Sequence, residues 1–354
     1  MGIRITALWT TALLAAAMWL ATTATVLAAP SAADAHEVDG VRVQIDNDLF
    51  AAGGGHDRDY TGGFALTISG DTARDGLLSL DPLLKRIDAF LLPQDAASVH
   101  HARQFGLIAF TPADIESTLP VYDDRPYASL LFTSNGRVSV DADGRGAWSS
   151  SLTIGVLGLA AAGELHSDIH ELVGSDPVRG YDNQISAGGE PTARYTLARH
   201  RLWIANPSAT LDVKTTVQGS VGYLTETSAA ISMRVGHFNS PWWSFAPELT
   251  DYIGAPVPVA AQSGGRPELY FFTGARIKAR AYNAFLQGQF RDSAVTYSYS
   301  EIEPLVAEIW MGVVTQIFEN TQLSYALNYQ TAELRSGEAD RSSLWGGVQL
   351  SHSF

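Results

Sequence analysis

The stretch Ser343-Leu344-Trp345-Gly346-Gly347-Val348-Gln349-Leu350-Ser351-His352-Ser353-Phe354 decides the fold class. Leu344, Gly346, Val348, Leu350 and Phe354 share one parity, interrupted by His352, while Trp345, Gly347, Gln349, Ser351 and Ser353 share the other. Period-two alternation belongs to a strand with one apolar and one polar face. The pattern recurs. Leu211, Val213, Val217, Val221 and Tyr223 alternate with Asp212, Lys214, Thr216, Gln218 and Ser220, and Leu323, Tyr325, Leu327 and Tyr329 alternate with Ser324, Ala326, Asn328 and Gln330. In a soluble sandwich the apolar face would be the core; in a transmembrane barrel it faces lipid and the polar face lines the lumen. Alternation does not choose between them.

Residues near the N-terminus favour export. Arg4 precedes an apolar run from Ala7 to about Ala29, with small-residue cleavage positions at Ala28 or Ala35, so 1–35 reads as a secretory signal and 36–354 as the mature domain. The competing reading is a retained membrane helix, because the run is long enough to span a bilayer. The chain has no cysteine, so disulfides do not hold an exported fold together. Hydrophobic residues at 46% and aromatic residues at 10% exclude disorder. A net charge of -14, with no basic patch to neutralise phosphates, argues against nucleic acid as a partner. An acidic protein beside anionic lipopolysaccharide would be expected to use divalent cations as bridges.

Twelve strands are expected, over residues 41–49, 61–70, 103–111, 125–139, 146–159, 191–204, 208–223, 227–237, 267–281, 303–317, 321–334 and 342–354. That is an all-β, antiparallel transmembrane barrel, and its even strand number suits closure. With both termini periplasmic, the connections after strands one, three and five face outward and carry or adjoin the polar motifs IDND (45–48), DRDYTGG (57–63) and HSDIH (166–170). Loop 238–265, with Trp242 and Trp243, should instead be periplasmic or interfacial, its tryptophans anchoring at the membrane surface.

Within the first motif, strict alternation puts Asn47 on the lipid side, which suits an enzyme acting on a lipid beside the barrel; the plain alternative is a strand-ending turn. Asp48 shares parity with Arg42, Gln44 and Asp46. Ala161 to Gly174 has helical spacing, with Leu165, Ile169 and Leu172 as an apolar stripe, His166 and His170 one turn apart, and Gly174 as a C-cap. Two histidines so placed can ligate zinc, one can act as a general base positioned by the other, or both can ride idle on a solvated loop helix.

Taken in order, Ile45-Asp46-Asn47-Asp48-Leu49-Phe50, Asp57-Arg58-Asp59-Tyr60-Thr61-Gly62-Gly63, Asp124-Arg125-Pro126-Tyr127-Ala128, the Gly163 to Gly174 helix with His170, and Gly180-Tyr181-Asp182-Asn183-Gln184 resemble the successive motifs of the outer-membrane lipid A 3'-O-deacylases, the LpxR-like family. The resemblance implies a twelve-stranded outer-membrane barrel with a short helix in an extracellular loop, which uses calcium to hydrolyse the 3'-linked acyloxyacyl ester of lipid A. It implies His170 as the base that activates water, Asn47 and Thr61 as site residues, and Asp48 as the candidate calcium ligand. Two departures stand out. His166 occupies a position where the family pattern often has Gln, and a lysine found in some members after the third strand has no counterpart, Ser117 being nearest and Glu116 preceding it. If that lysine serves the oxyanion, this chain must rely more on calcium or on another donor.

The implied partner is lipopolysaccharide in the outer membrane, with the site facing the extracellular side and the protein a monomer. The alternatives are an outer-membrane phospholipase using Ser129 or Ser167, a zinc hydrolase built on His166 and His170, and a non-catalytic barrel or channel. Asp124, Arg125 and Pro126 read as architecture where an outer loop re-enters the barrel. Gly180 to Gln184 reads as the packing of the loop helix against the rim, with Tyr181 supplying area and Asn183 and Gln184 supplying hydrogen bonds.

Overall fold

The computed structural model describes residues 38–51, 58–173, 177–205, 210–260 and 266–354; the expected signal segment, Asp57 and Gly174 lie outside them. Twelve strands run β1 (Val38–Asn47), β2 (Asp59–Gly70), β3 (Ser98–Thr111), β4 (Ala128–Val140), β5 (Gly146–Leu157), β6 (Glu190–Ala205), β7 (Leu211–Gly222), β8 (Leu224–His237), β9 (Leu269–Asn283), β10 (Leu305–Phe318), β11 (Thr321–Gln330) and β12 (Ser343–Ser353). Each pairs antiparallel with its successor, and β1 closes on β12, with Val43 opposite Leu350. Every expected strand has its counterpart. Closure leaves no sheet edge, which hydrocarbon would leave without hydrogen-bond partners.

The faces settle the ambiguity of the alternation. In β7, Val217 and Val221 are 62% and 69% exposed, whereas Asp212, Lys214, Thr216, Gln218 and Ser220 are buried. A soluble sandwich would show the reverse. The apolar wall points outward and the polar wall inward.

Connections after odd-numbered strands gather at one end, the rim; those after even-numbered strands gather at the other, the base. Among the latter, residues 238–260 do not lie at a membrane surface as their tryptophans suggested, but fold into the lumen. The Gln104 amide donates to Gly254 O at 2.8 Å, Arg42 to Val257 O at 3.3 Å, and the Val259 N–H to the Ser69 hydroxyl at 2.8 Å. Trp243 stacks on His100 with ring centres 3.9 Å apart, and Trp242 Nε1 donates to Gly144 O at 2.9 Å. Both tryptophans pack on Val138, Val140, Ala147 and Ala198. The physical reason lies in the wall, whose buried inward charges need partners.

The insert supplies several. Asp251 pairs with Arg194 at 2.7 Å and Arg276 at 2.9 Å, and Glu248 pairs with Lys214 at 2.9 Å. Further up, Arg280 pairs with Glu226 at 2.8 Å, and Glu333 lies between Arg125 and Arg280 while accepting from the Tyr252 hydroxyl at 2.5 Å. Two spaces beside the insert measure ≈ 60 and ≈ 80 Å³, room for a few waters. The insert thus occupies much of the lumen.

Burial alone would raise the Glu333 carboxyl, but the Arg125 and Arg280 guanidinium groups hold it well below the usual carboxylate range. Its stabilisation is therefore complete above the ordinary carboxylate value of 4.5 and declines as pH falls further. Glu333→Ala leaves two buried cations without their shared anion and should cost about 3–5 kcal/mol. Urea unfolding in lipid at pH 7, followed by the gel-mobility shift of the folded barrel, checks this; an unchanged midpoint would contradict it.

Candidate functional site

The first polar motif ends its strand at Asn47. The Asn47 side chain accepts from the Leu49 N–H at 2.8 Å, capping a 3-10 turn over Asp48–Phe50, and donates to Thr61 O at 2.9 Å. That is the strand-ending turn foreseen as the plain reading, and it also fixes Asn47 on β2. Because the strand stops there, the parity expected to carry Asp48 into the lumen does not extend to it. Asp48 belongs to the turn and is buried.

This turn lies over the outer wall. Ser324, Ala326 and Asn328 line an interior space, so Tyr325 points outward, and its hydroxyl donates to Phe50 O at 2.6 Å. Gly346 makes the approach possible, since a Cβ there would sit 2.6 Å from Phe50 Cβ. Thr61 is buried, its hydroxyl 2.5 Å from that of Thr111. Phe110 packs inside the barrel with Tyr60, so alternation turns Thr111, and Thr61 with it, to the outer side. A β-bulge between Tyr60 and Gly62 accommodates this.

The expected helix lies in a rim connection and is α3 (Ala160–Val173); in chain order α1 (Asp71–Asp75) and α2 (Asp81–Leu91) precede it at the base. Leu165, foreseen in an apolar stripe, is 48% exposed, whereas Ala162 and His170 are buried. The side chains of Ile169 and Leu172 lie outside the described residues. What holds α3 is a close approach of backbone to ring: a Cβ at Gly163 would come within 2.7 Å of the Tyr181 ring, and one at Gly180 within 2.3 Å of Tyr127. The Tyr127 and Tyr181 rings are 4.9 Å apart in a cluster with Ile115 and Val178. Asn183 donates to Thr118 O at 3.0 Å, so the Gly180–Gln184 motif packs the loop as expected.

His166 and His170 meet through their Nε2 atoms at 2.9 Å, and His166 Nδ1 lies 3.1 Å from the Tyr181 hydroxyl. One Nε2 must donate and the other accept, so the pair holds a single proton between its rings. His170 is 5% exposed. Among the described residues no group of three or more His, Cys, Asp or Glu side chains gathers to hold a metal. Ser129 donates to Gln184 Oε1 at 2.8 Å and Ser167 to Val178 O at 3.2 Å, so neither hydroxyl is directed at a histidine in these bonds. Ser117 donates to Leu119 O at 3.1 Å within its own loop.

Sequence reasoning missed Arg341. Its guanidinium lies 2.9 Å from Asp59 and 2.8 Å from Asp124, tying the second motif to the third. Asp124 also accepts from the Ala113 N–H at 2.8 Å, and Arg125 covers the Phe110 ring at 4.3 Å. The Asp124–Arg125 motif is therefore architectural. An isolated arginine in a polar loop gave no periodic signal that could have revealed it.

A closed barrel with an apolar outer wall and a polar inner wall defines a transmembrane protein of the outer-membrane type. The family model described as "Outer membrane protein LpxR" matches residues 13–354. The chain belongs to that family. Its fold is similar to the solved structure of LpxR from Salmonella typhimurium, at 18% identity and a TM-score of 0.69, covering 89% of this chain and 100% of that one. The β-domain of the Bordetella autotransporter BrkA aligns at 11% identity and a TM-score of 0.42, covering 90% and 99% respectively. A comparison with curated protein sequences finds no match.

Gly163→Val should push α3 off Tyr181 while leaving the barrel intact. Limited proteolysis should then cut within residues 160–189 at least tenfold faster with an unchanged gel shift of the folded barrel; equal cleavage rates would contradict the packing.

Proposed function

We propose that the protein is a lipid A 3'-O-deacylase of the bacterial outer membrane, with its site on the extracellular side. The observation that carries this reading is the position of the polar groups. Asn47, Thr61 and the Asp48 turn lie on the outer wall at the rim, where α3 and His170 also lie, so a lipid can reach them laterally without entering the occupied lumen. Lipopolysaccharide occupies the extracellular leaflet. An ester-linked acyl chain fits such a site better than a solute would.

In this mechanism a water oxygen attacks the carbonyl carbon of the 3'-linked acyloxyacyl ester while His170 takes the water proton. The bond from carbonyl carbon to sugar oxygen then breaks, and the proton passes from His170 to that oxygen. The products are a free acyloxyacyl acid and a 3'-hydroxyl on the sugar. His166 acts on His170: their shared proton sets which ring nitrogen can accept, and Tyr181 fixes His166 in turn. Asn47 and Thr61 hold the β1–β2 rim in register beside the ester.

Asp48 supplies the kind of donor that calcium prefers, a buried carboxylate oxygen, and it is the residue proposed to hold the ion. Calcium bound there would polarise the ester carbonyl and offset the developing oxyanion charge. The absence of a lysine near Ser117 increases the weight on that contribution. Zinc is the weaker alternative, because the histidine pair has no third such ligand among the described residues.

Three outcomes check the reading. Lipopolysaccharide incubated with the purified protein should lose the mass of one acyloxyacyl unit from lipid A. His170→Ala, folded as judged by its gel shift, should lower the rate by about 10²–10⁴-fold; retention of full activity removes His170 as the base. Activity should disappear with chelation and return with calcium but not zinc, and Asp48→Asn should raise the calcium requirement; indifference to chelation would remove the ion. Conductance steps with unchanged lipid A would favour a channel instead.

A further inference from the structure

The segment from Asp71 to Leu91 lies against the outside of the barrel at the base, with its polar face turned to the protein. Asp88 accepts from Arg137 at 2.9 Å, the Ser150 hydroxyl at 2.7 Å and the Tyr195 hydroxyl at 3.0 Å. Asp81 lies 2.8 Å from His101 Nδ1. Asn135 donates to Ala73 O at 2.8 Å and accepts from the Leu80 N–H at 2.9 Å. These partners lie on the outer wall, since they alternate with lumen-facing neighbours: Val138 beside Arg137, Ser149 beside Ser150, and Arg194 beside Tyr195. Left bare, they would put polar groups against lipid.

The opposite face of α2 is unlike that of a helix lying on a soluble protein. Asp81, Leu84 and Asp88 form the buried line, while Leu83 is 51%, Phe90 92% and Leu91 54% exposed, and Leu77 and Leu78 just before the helix are 88% and 75% exposed. At 100° per residue, Leu83, Ile87, Phe90 and Leu91 fall on one flank of the buried line and Lys85 on the other, with Arg86 turned away from the wall. Lys85 and Arg86 are both exposed. The helix therefore shows a polar face to the protein, an apolar flank, and a basic edge.

We propose that α2 is an interfacial membrane helix, docked on the wall by Asp81 and Asp88 and seated among the phospholipids of the leaflet at the base end. Two observations fix the occupant as lipid. The apolar flank stands beside an outer wall whose exposed residues, such as Val99 and Phe105 on β3, are themselves apolar, so it continues the lipid-facing surface. Lys85 and Arg86 have the charge that phospholipid phosphates accept. The helix thus sets the depth of the barrel on the side away from the proposed catalytic site. This holds whether or not the protein is a deacylase.

The chain has no cysteine, so single cysteines can carry a spin label in the full-length protein without background. With the protein in vesicles of phosphatidylethanolamine and phosphatidylglycerol, a label at Phe90→Cys should be relaxed mainly by oxygen, as at Val217→Cys on the lipid-facing wall. A label at Lys85→Cys should be relaxed mainly by a water-soluble nickel chelate, as at Gly144→Cys in the β4–β5 turn. Leu83→Cys on the same flank should repeat the Phe90 result if that variant folds poorly. Nickel-dominated relaxation at both Phe90 and Leu83 in the folded barrel would overturn the proposal.

Discussion

Charges that a closed wall turns inward must find partners there, and the rest of the structure follows from how this barrel meets that demand. Glu333 answers both Arg125 and Arg280, and Asp251 answers both Arg194 and Arg276. Removing either carboxylate would leave buried cations short of an anion, which costs more than the pair itself contributes. The 238–260 insert is the economical solution, since one chain segment brings Glu248, Asp251 and backbone carbonyls to many wall residues. A lumen occupied in this way leaves little room for a lipid, which is why the proposed site is on the outer wall.

That displacement creates a second problem, for polar side chains on the outer wall face hydrocarbon. Both ends of the barrel meet it by laying a connecting segment over the polar patch. At the rim, Ser129 is covered by the segment carrying Gln184 beside α3, and at the base Arg137, Ser150 and Tyr195 are covered by α2. Glycines decide how closely the rim can be built. Gly163 and Gly180 admit the tyrosine rings that hold α3, and Gly346 admits the Asp48–Phe50 turn.

The barrel was legible because period two survives translation into any sheet, and because the exposed Val217 and Val221 invert the soluble pattern. The helix bearing His166 and His170 was legible for the same kind of reason, from its different period. Asn47 was legible as a strand end and as an outer-wall residue, whereas Asp48 was assigned by extending a strand one residue too far. The lumen insert was misread because Trp242 and Trp243 have the same composition whether they anchor at an interface or pack on Val138 and Ala198. Glu333 and Arg341 were invisible, since a buried ion pair between residues hundreds apart leaves no local pattern. Helix α2 went unread because most of its apolar residues, Leu84 apart, face away from the protein, against the usual rule for surface helices.

The proposed chemistry depends on a proton shared by two histidines beside a lipid ester. The most direct test is hydrolysis of lipid A in ¹⁸O-labelled water, with mass analysis of both products. The account predicts an acyloxyacyl acid carrying one ¹⁸O in its carboxyl and a lipid A fragment with an unlabelled 3'-hydroxyl. Lipid A of unchanged mass after incubation with the folded, calcium-supplied protein, or label in the sugar hydroxyl, would contradict it.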